Sequence, residues 1–265
     1  MAKGIVTPEL IEQLKAIVGE KYVYTDKDKL EPYSHDEVTD PHYMKEPQVV
    51  VLPANTEEVA KVVKLCYDND TVMVPRAAGT GLAAGAVATF GGVIISIERM
   101  NKILEIDKQN MVCVTEPGVT TAVLQEEVQK EGLFYGGDPC SGDSCFIGGN
   151  VATNAGGNPA VKYGVTRDQV MGIEVVTPQG EVVTLGGKFR KNATGYMLMH
   201  LYIGSEGTLG IITKIYLKLV SLPKYQADLL LIFDNLDDAI ALTPKVMNAG
   251  ITPVCVEFMD NASIK

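Results

Sequence analysis

Between Gln48 and Pro75 the sequence spells a strand, a helix and a second strand, and that alternation narrows the fold more than any other stretch. QVVVL (48–52) is a short apolar run closed by Pro53. Asn55 stands where an N-cap belongs, Glu58 completes a capping box, and Val59, Val62, Val63 and Cys66 recur on one helical face. TVMVP (71–75) repeats the strand pattern. The unit is therefore βαβ, with parallel strands and a right-handed crossover.

VIISI (93–97) reads as a third strand, after which the pattern changes. KILEID (102–107) and MVCVTE (111–116) flank Lys108-Gln109-Asn110 as an antiparallel hairpin, and a helix follows at roughly 119–131. Residues 136–157 are glycine-rich without periodicity. GIEVVTPQGEVVTL (172–185) is a hairpin around Pro178-Gln179-Gly180, and GIITKIYLKLV (210–220) another strand. Two α+β lobes, about 46–100 and 101–220, fit this order better than one parallel sheet. They form an expected domain over 46–225, preceded by a helical segment, 1–45.

The last portion starts a new unit: DLLLIF (228–233) as a strand, a helix near 236–249, and TPVCVEFMD (252–260) as a second strand. So short a piece cannot bury a core alone. Residues 226–265 are thus expected to begin a further, incomplete domain.

Composition removes several function classes. The net charge of −10 argues against a phosphate-backbone-binding protein, so nucleic acid is not an expected partner. No apolar run approaches the roughly 18 residues that span a bilayer, and the N-terminal stretch lacks a signal peptide's pattern. Five cysteines are not a disulfide framework, which makes the cytoplasm the expected compartment. The three histidines show no metal-ligand spacing, and no metal site is expected.

Three glycine clusters carry the chemistry: PRAAGTGLAAGA (75–86), IGGNVATNAGG (147–157) and GSEGTLGII (204–212). Gly is retained where φ must be positive or where main chain meets something closely. Gly79 to Ala84 satisfies G-x-G-x-x-[GA] after a strand, the dinucleotide fingerprint. However, four residues separate strand from first glycine, Gly85, Gly91 and Gly92 would interrupt the receiving helix, and the second loop stays unexplained. Two glycine-rich loops, one from each lobe, holding a diphosphate through main-chain N–H groups fit better. Neither carries the Lys-Ser/Thr pair of a P-loop.

These residues, with Tyr33-Ser34-His35-Asp36, EPGV (116–119), DPCSGDSCFIGGNVATNAGG (138–157), KYGVTRDQV (162–170) and ATGYMLMHLYIGSEGTLGIIT (193–213), resemble the vanillyl-alcohol oxidase/p-cresol methylhydroxylase flavoproteins. The likeness is to their D-lactate dehydrogenase and glycolate oxidase FAD-subunit branch. It implies an α+β, two-lobed FAD-binding domain of the p-cresol methylhydroxylase type, followed by the start of an α/β cap (substrate) domain. It also implies FAD contacts at Arg76, Ala77, Ala78, Gly79, Thr80, Gly81, Leu82, Pro139, Gly142, Ser144, Cys145, Ile147, Gly148, Gly149, Asn150, Ala152, Thr153, Tyr163, Gly164, Glu206, Gly210 and Ile212. Thr80 stands about where covalent members carry the flavin-linking His, so FAD is expected to be non-covalent. Ala77, Ala78, Ala83 and Ala84 depart from the Gly or Ser common in relatives, and Met197 from a frequent acidic residue. Cys140 and Cys145 have no neighbouring Lys, Arg or His to favour a reactive thiolate. His200, on an apolar run, reads as a core histidine.

The implied activity is an FAD-dependent D-2-hydroxyacid dehydrogenase acting on D-lactate or glycolate. Its electrons would pass to a soluble protein acceptor such as electron-transfer flavoprotein subunits. In relatives the catalytic base, the Arg that holds the substrate carboxylate and any metal come from a half expected beyond Lys265, so no catalytic residue is nominated. A flavin-carrying electron-transfer subunit and an NADPH-dependent flavin reductase of the same fold are the alternatives.

Overall fold

The computed structural model of the chain describes residues 5–264; residues 1–4 of the expected N-terminal segment and Lys265 at the far end lie outside them. Thr7 caps helix α1 (Pro8–Val18), accepting from Leu10 N–H at 3.2 Å, and Leu10, Leu14 and Val18 form its buried stripe. A two-residue strand β1 (Val23–Tyr24) and a helical turn α2 (Lys27–Leu30) lead to β2 (Val49–Val51). Asn55 caps α3 (Thr56–Asp68) as predicted, its Oδ1 accepting from Glu58 N–H. The box is not the reciprocal one expected, because Glu58 Oε2 accepts from Ala54 N–H, one residue before the cap. β3 (Met73–Arg76) and β4 (Val93–Ser96) complete a sheet of order β1-β2-β4-β3, parallel but for β1.

The second sheet is antiparallel, as expected where hairpins replace crossovers. Strands β5 (Ile103–Asp107) and β6 (Val112–Thr115) form the predicted hairpin, followed by α4 (Thr121–Lys130) and the short β7 (Leu133–Phe134). Helix α5 (Ile147–Thr153) and two single turns, α6 (Ala160–Tyr163) and α7 (Thr166–Gln169), precede the β8 (Val170–Val176) and β9 (Val182–Gly186) hairpin. After the turn α8 (Met199–Tyr202) comes β10 (Ile211–Lys218), which inserts between β6 and β8 to give the order β5-β6-β10-β8-β9. β11 (Val220–Ser221) pairs with β7 alone.

The stretch 136–157, read as one irregular passage, contains helix α5. Its glycines hid the helix, since Gly carries no apolar periodicity and has poor intrinsic propensity. The runs 228–233 and 252–260 form no strand. Their composition is strand-like, but a strand exists through its ladder, and among the described residues neither run has one. Between them α9 (Leu236–Asn248) forms where predicted, capped by Asn235, with no buried residue. The final turn is α10 (Asn261–Ile264).

The two sheets share core. Val176 of β8 and Ile211 of β10 join the cluster of α1, α3 and the first sheet. A polar contact reinforces the seam: Glu174 of β8 accepts from Thr56 at 2.8 Å, Thr213 at 3.0 Å and Lys214 at 3.1 Å. Burial acts to raise the Glu174 pKa, but those three donors outweigh it and hold the carboxyl below its ordinary 4.5. A depressed folded-state pKa means the contribution is complete above the unfolded value and lost as pH falls through the folded one. Glu174→Gln should therefore lower stability by about 1–2 kcal/mol near neutrality. Denaturant titrations should show that gap closing as pH drops below 4.5; a gap independent of pH would refute the role.

A cleft built from three glycine-rich segments

β3 ends at Arg76, and its side chain organises the loop that follows. Arg76 is 6% exposed, and its guanidinium donates to Ala86 carbonyl oxygen at 3.1 Å and to that of Pro32 at 3.2 Å, joining the loop's far end to the N-terminal segment. It lies 5.5 Å from the Tyr33 ring centroid. Burial lowers the Arg76 pKa, against the opposing pull of Asp36, Tyr33 and Glu98. Tyr33 in turn donates to Glu98 at 3.0 Å, and burial with that neighbouring carboxylate pushes its phenol up. Gly79 has φ +76°, and a Cβ there would collide with the Arg76 guanidinium. The tight loop thus needs Gly79 for both conformation and space.

The second segment enters as helix α5. Ile147 and Gly148 amides donate to the carbonyl oxygens of Val119 (2.9 Å) and Pro117 (2.7 Å), so the helix start is laid on the 117–119 strand exit. Its glycines allow close approach rather than unusual φ. A Cβ on Gly148 would lie 2.5 Å from Pro117 Cβ, and one on Gly149 would lie 3.0 Å from Ala77 Cβ. The left-handed residue in this motif is Asn154, φ +51°. Beneath, Asn150 donates to Thr121 Oγ1 at 2.8 Å, and Thr121 Oγ1 meets Cys145 Sγ at 3.2 Å.

The third segment, 204–210, runs beside α5. Gly204 and Glu206 amides donate to Val151 and Ala152 carbonyl oxygens at 3.0 and 2.8 Å. Glu206 adopts φ +52°, uncommon for a residue with a Cβ. Its carboxylate borders the first loop: a Cβ on Gly85 would stand 3.1 Å from Glu206 Oε2.

Together the three segments enclose a cleft of about 520 Å³, within the range of small-molecule sites. Of the residues expected at the cofactor, Arg76 to Leu82, Pro139, Cys145, Gly148, Gly149, Asn150, Ala152, Thr153, Glu206, Gly210 and Ile212 line it. Ser144 lines a smaller adjoining cavity with Tyr33, Glu98 and Phe146.

Gly142, Ile147, Tyr163 and Gly164 stand away from both walls. Ile147 is fully buried in the second core, Gly142 closes a turn with Pro139, and Tyr163 packs on Phe134. Gly164, φ +80°, is pressed against Asp168. Phe146, inside the expected run 144–153, lines the cleft too, which also takes in Asp36, Ile97, Pro117, Asn154, Ser205 and Gly207, not named as contacts in advance. Asp36, Pro117, Asn154, Ser205 and Gly207 lie within motifs quoted above; Ile97, at the end of a strand, carries no such signal.

Among the described residues, none of the main-chain N–H groups from Ala77 to Ala86 donates to a protein acceptor. Such a run of unspent donors beside a cavity is what an anion-binding nest requires. It fits the diphosphate of FAD, and the apolar walls from Ala77, Leu82, Ile97, Pro117 and Ile212 fit the rings on either side. No cluster of His, Cys, Asp and Glu able to hold a metal occurs among the described residues. Nor is any helix there long and apolar enough to cross a membrane.

Residues 47–186 match the family model described as FAD binding domain, and 222–265 match that of the FAD linked oxidases, C-terminal domain. The chain is 46% identical over 257 residues to D-lactate dehydrogenase of Anaerostipes hadrus, covering 96% of this chain and 53% of that protein. It is 39% identical over 261 residues to glycolate oxidase subunit GlcD of Bacillus subtilis (strain 168), covering 98% and 55%. The chain thus spans about half the length of the curated relatives it matches. Substrate-bound p-cresol methylhydroxylase superposes with a TM-score of 0.74 at 21% identity, covering 90% of this chain and 48% of that one, which establishes a shared fold.

Proposed function

We infer the activity from the premise that this chain belongs to the FAD binding domain family matched over residues 47–186, so that FAD is its cofactor. The protein is, in this reading, an FAD-dependent D-2-hydroxyacid dehydrogenase that converts D-lactate or glycolate to the 2-oxo acid. The observation that carries it is the 46% identity to a D-lactate dehydrogenase, running through all three cleft segments. Bound flavin supplies the two-electron acceptor for oxidation at a CH–OH carbon. The chain's own residues bind and orient. The N–H groups of 77–86 hold the diphosphate, Arg76 stiffens that loop, and α5 closes the cleft from the second sheet. Residues 226–265 are the start of the substrate domain, a reading supported by the C-terminal-domain match over 222–265. Electrons pass to a protein acceptor of the electron-transfer flavoprotein type.

Anaerobic mixing of the oxidised protein with D-lactate, glycolate and D-2-hydroxyglutarate tests this. Bleaching of the flavin by D-lactate or glycolate is the expected result, and an unchanged spectrum with all three would overturn it. Reoxidation of the bleached flavin by an electron-transfer flavoprotein, faster than by oxygen, checks the acceptor.

Thr80 in the cleft wall has no nucleophilic ring nitrogen to link the flavin. Acid precipitation is expected to release intact FAD into the supernatant. Flavin retained by the denatured polypeptide would contradict non-covalent binding.

A further inference from the structure

Two buried side-chain oxygens have no partner among the described residues, Asp36 Oδ2 and Tyr135 Oη. Tyr135 is sealed inside the second core. Asp36, 6% exposed, is in the wall of the cleft. Its carboxylate is held in place from the other side, because Oδ1 accepts from Val38 N–H at 3.0 Å. The next residue ties this segment to the first loop, Glu37 N–H donating to Gly81 carbonyl oxygen at 3.1 Å. The nearby guanidinium of Arg76 spends two of its five N–H groups on Ala86 and Pro32, and none of the rest reaches Oδ2.

A carboxylate oxygen accepts, and a buried acceptor without a donor is costly until one arrives. A phosphate cannot be that partner, for it brings like charge and no proton to donate. FAD carries no cationic group, so a donor within it is a neutral hydroxyl or N–H. We propose that Asp36 Oδ2 accepts a hydrogen bond from a hydroxyl or N–H group of the bound cofactor, making Asp36 a cofactor-binding residue. It fixes the portion flanking the diphosphate, while the loop amides fix the diphosphate itself. This assignment rests on FAD being the occupant.

The test uses flavin-free protein at full length, wild type and Asp36→Asn, titrated with FAD, ADP and FMN. A hydrogen bond to a charged group of this kind corresponds to a tenfold to hundredfold loss, approximately, when it is removed. The variant should bind FAD weaker by that factor and one of the two fragments weaker by the same factor, with the other fragment unaffected. Loss with ADP assigns the donor to the ribose or adenine; loss with FMN assigns it to the ribityl chain or flavin ring. Unchanged FAD affinity would overturn the proposal, as would equal losses for both fragments, which signal general damage to the cleft. Asp36→Ser, measured in the same way, decides the matter if the Asn variant misfolds. Failure of the wild type to bind FAD would instead overturn the cofactor reading.

Discussion

Replacing Gly148 by Val is expected to lower the stability of the flavin-free protein by about 3 kcal/mol or more and to abolish FAD retention. Gly148 sits at the start of α5, where a Cβ would lie 2.5 Å from Pro117 Cβ and 2.9 Å from Pro117 carbonyl oxygen. Neither atom can swing aside. The proline ring is rigid, and its carbonyl oxygen accepts the Gly148 amide at 2.7 Å. The helix start must therefore lift, carrying away the wall that Gly148, Gly149 and Asn150 give the cleft. Urea denaturation and the flavin content of purified protein measure both effects. A wild-type midpoint with full flavin would mean that α5 does not rest on Pro117 in solution.

Gly79→Ala is expected to weaken FAD binding at least about hundredfold, through two costs that act on the same loop. The left-handed φ of +76° costs a residue with a Cβ about 1–2 kcal/mol. The new methyl also meets the Arg76 guanidinium, whose Cζ would lie 2.8 Å away. Arg76 must then release Ala86 or Pro32, each a charge-assisted bond of about 1.5–3 kcal/mol. The loop loses the brace that aligns its amides. Gly81→Ala is the control: its Cβ meets nothing within 4 Å, so the flavin-free protein should keep its melting temperature. Fluorescence titration and thermal melts separate the two variants. Equal FAD affinity for Gly79→Ala and wild type would sink the account of Arg76 as the brace.

Local pattern made much of this legible. Asn55 and Glu58 announced α3, the alternation through 48–75 announced parallel strands, and the apolar runs around 108–110 and 178–180 announced the hairpins of the second sheet. Each signal lies within a few residues of the element it predicts. The glycine clusters likewise marked the cleft, because close main-chain approach excludes side chains whatever the partner.

What glycine could not reveal was its own conformation. In IGGNVATNAGG the glycines serve a helix seated on Pro117 and Ala77, and the left-handed position falls on Asn154. The runs at 228–233 and 252–260 misled in the opposite sense, because strand-like composition says nothing about whether an edge is available to pair with. Asp36 was visible as a letter in a motif and invisible as a site. Its burial, its free Oδ2 and its place in the cleft wall arise only when 33–37 folds over the first loop. Periodicity and capping are local physics, so the sequence by itself determined which elements form and where main chain must lie bare. Which buried oxygen lacks a donor depends on groups distant along the chain, Arg76 and Gly81 among them, and that only the tertiary structure decided.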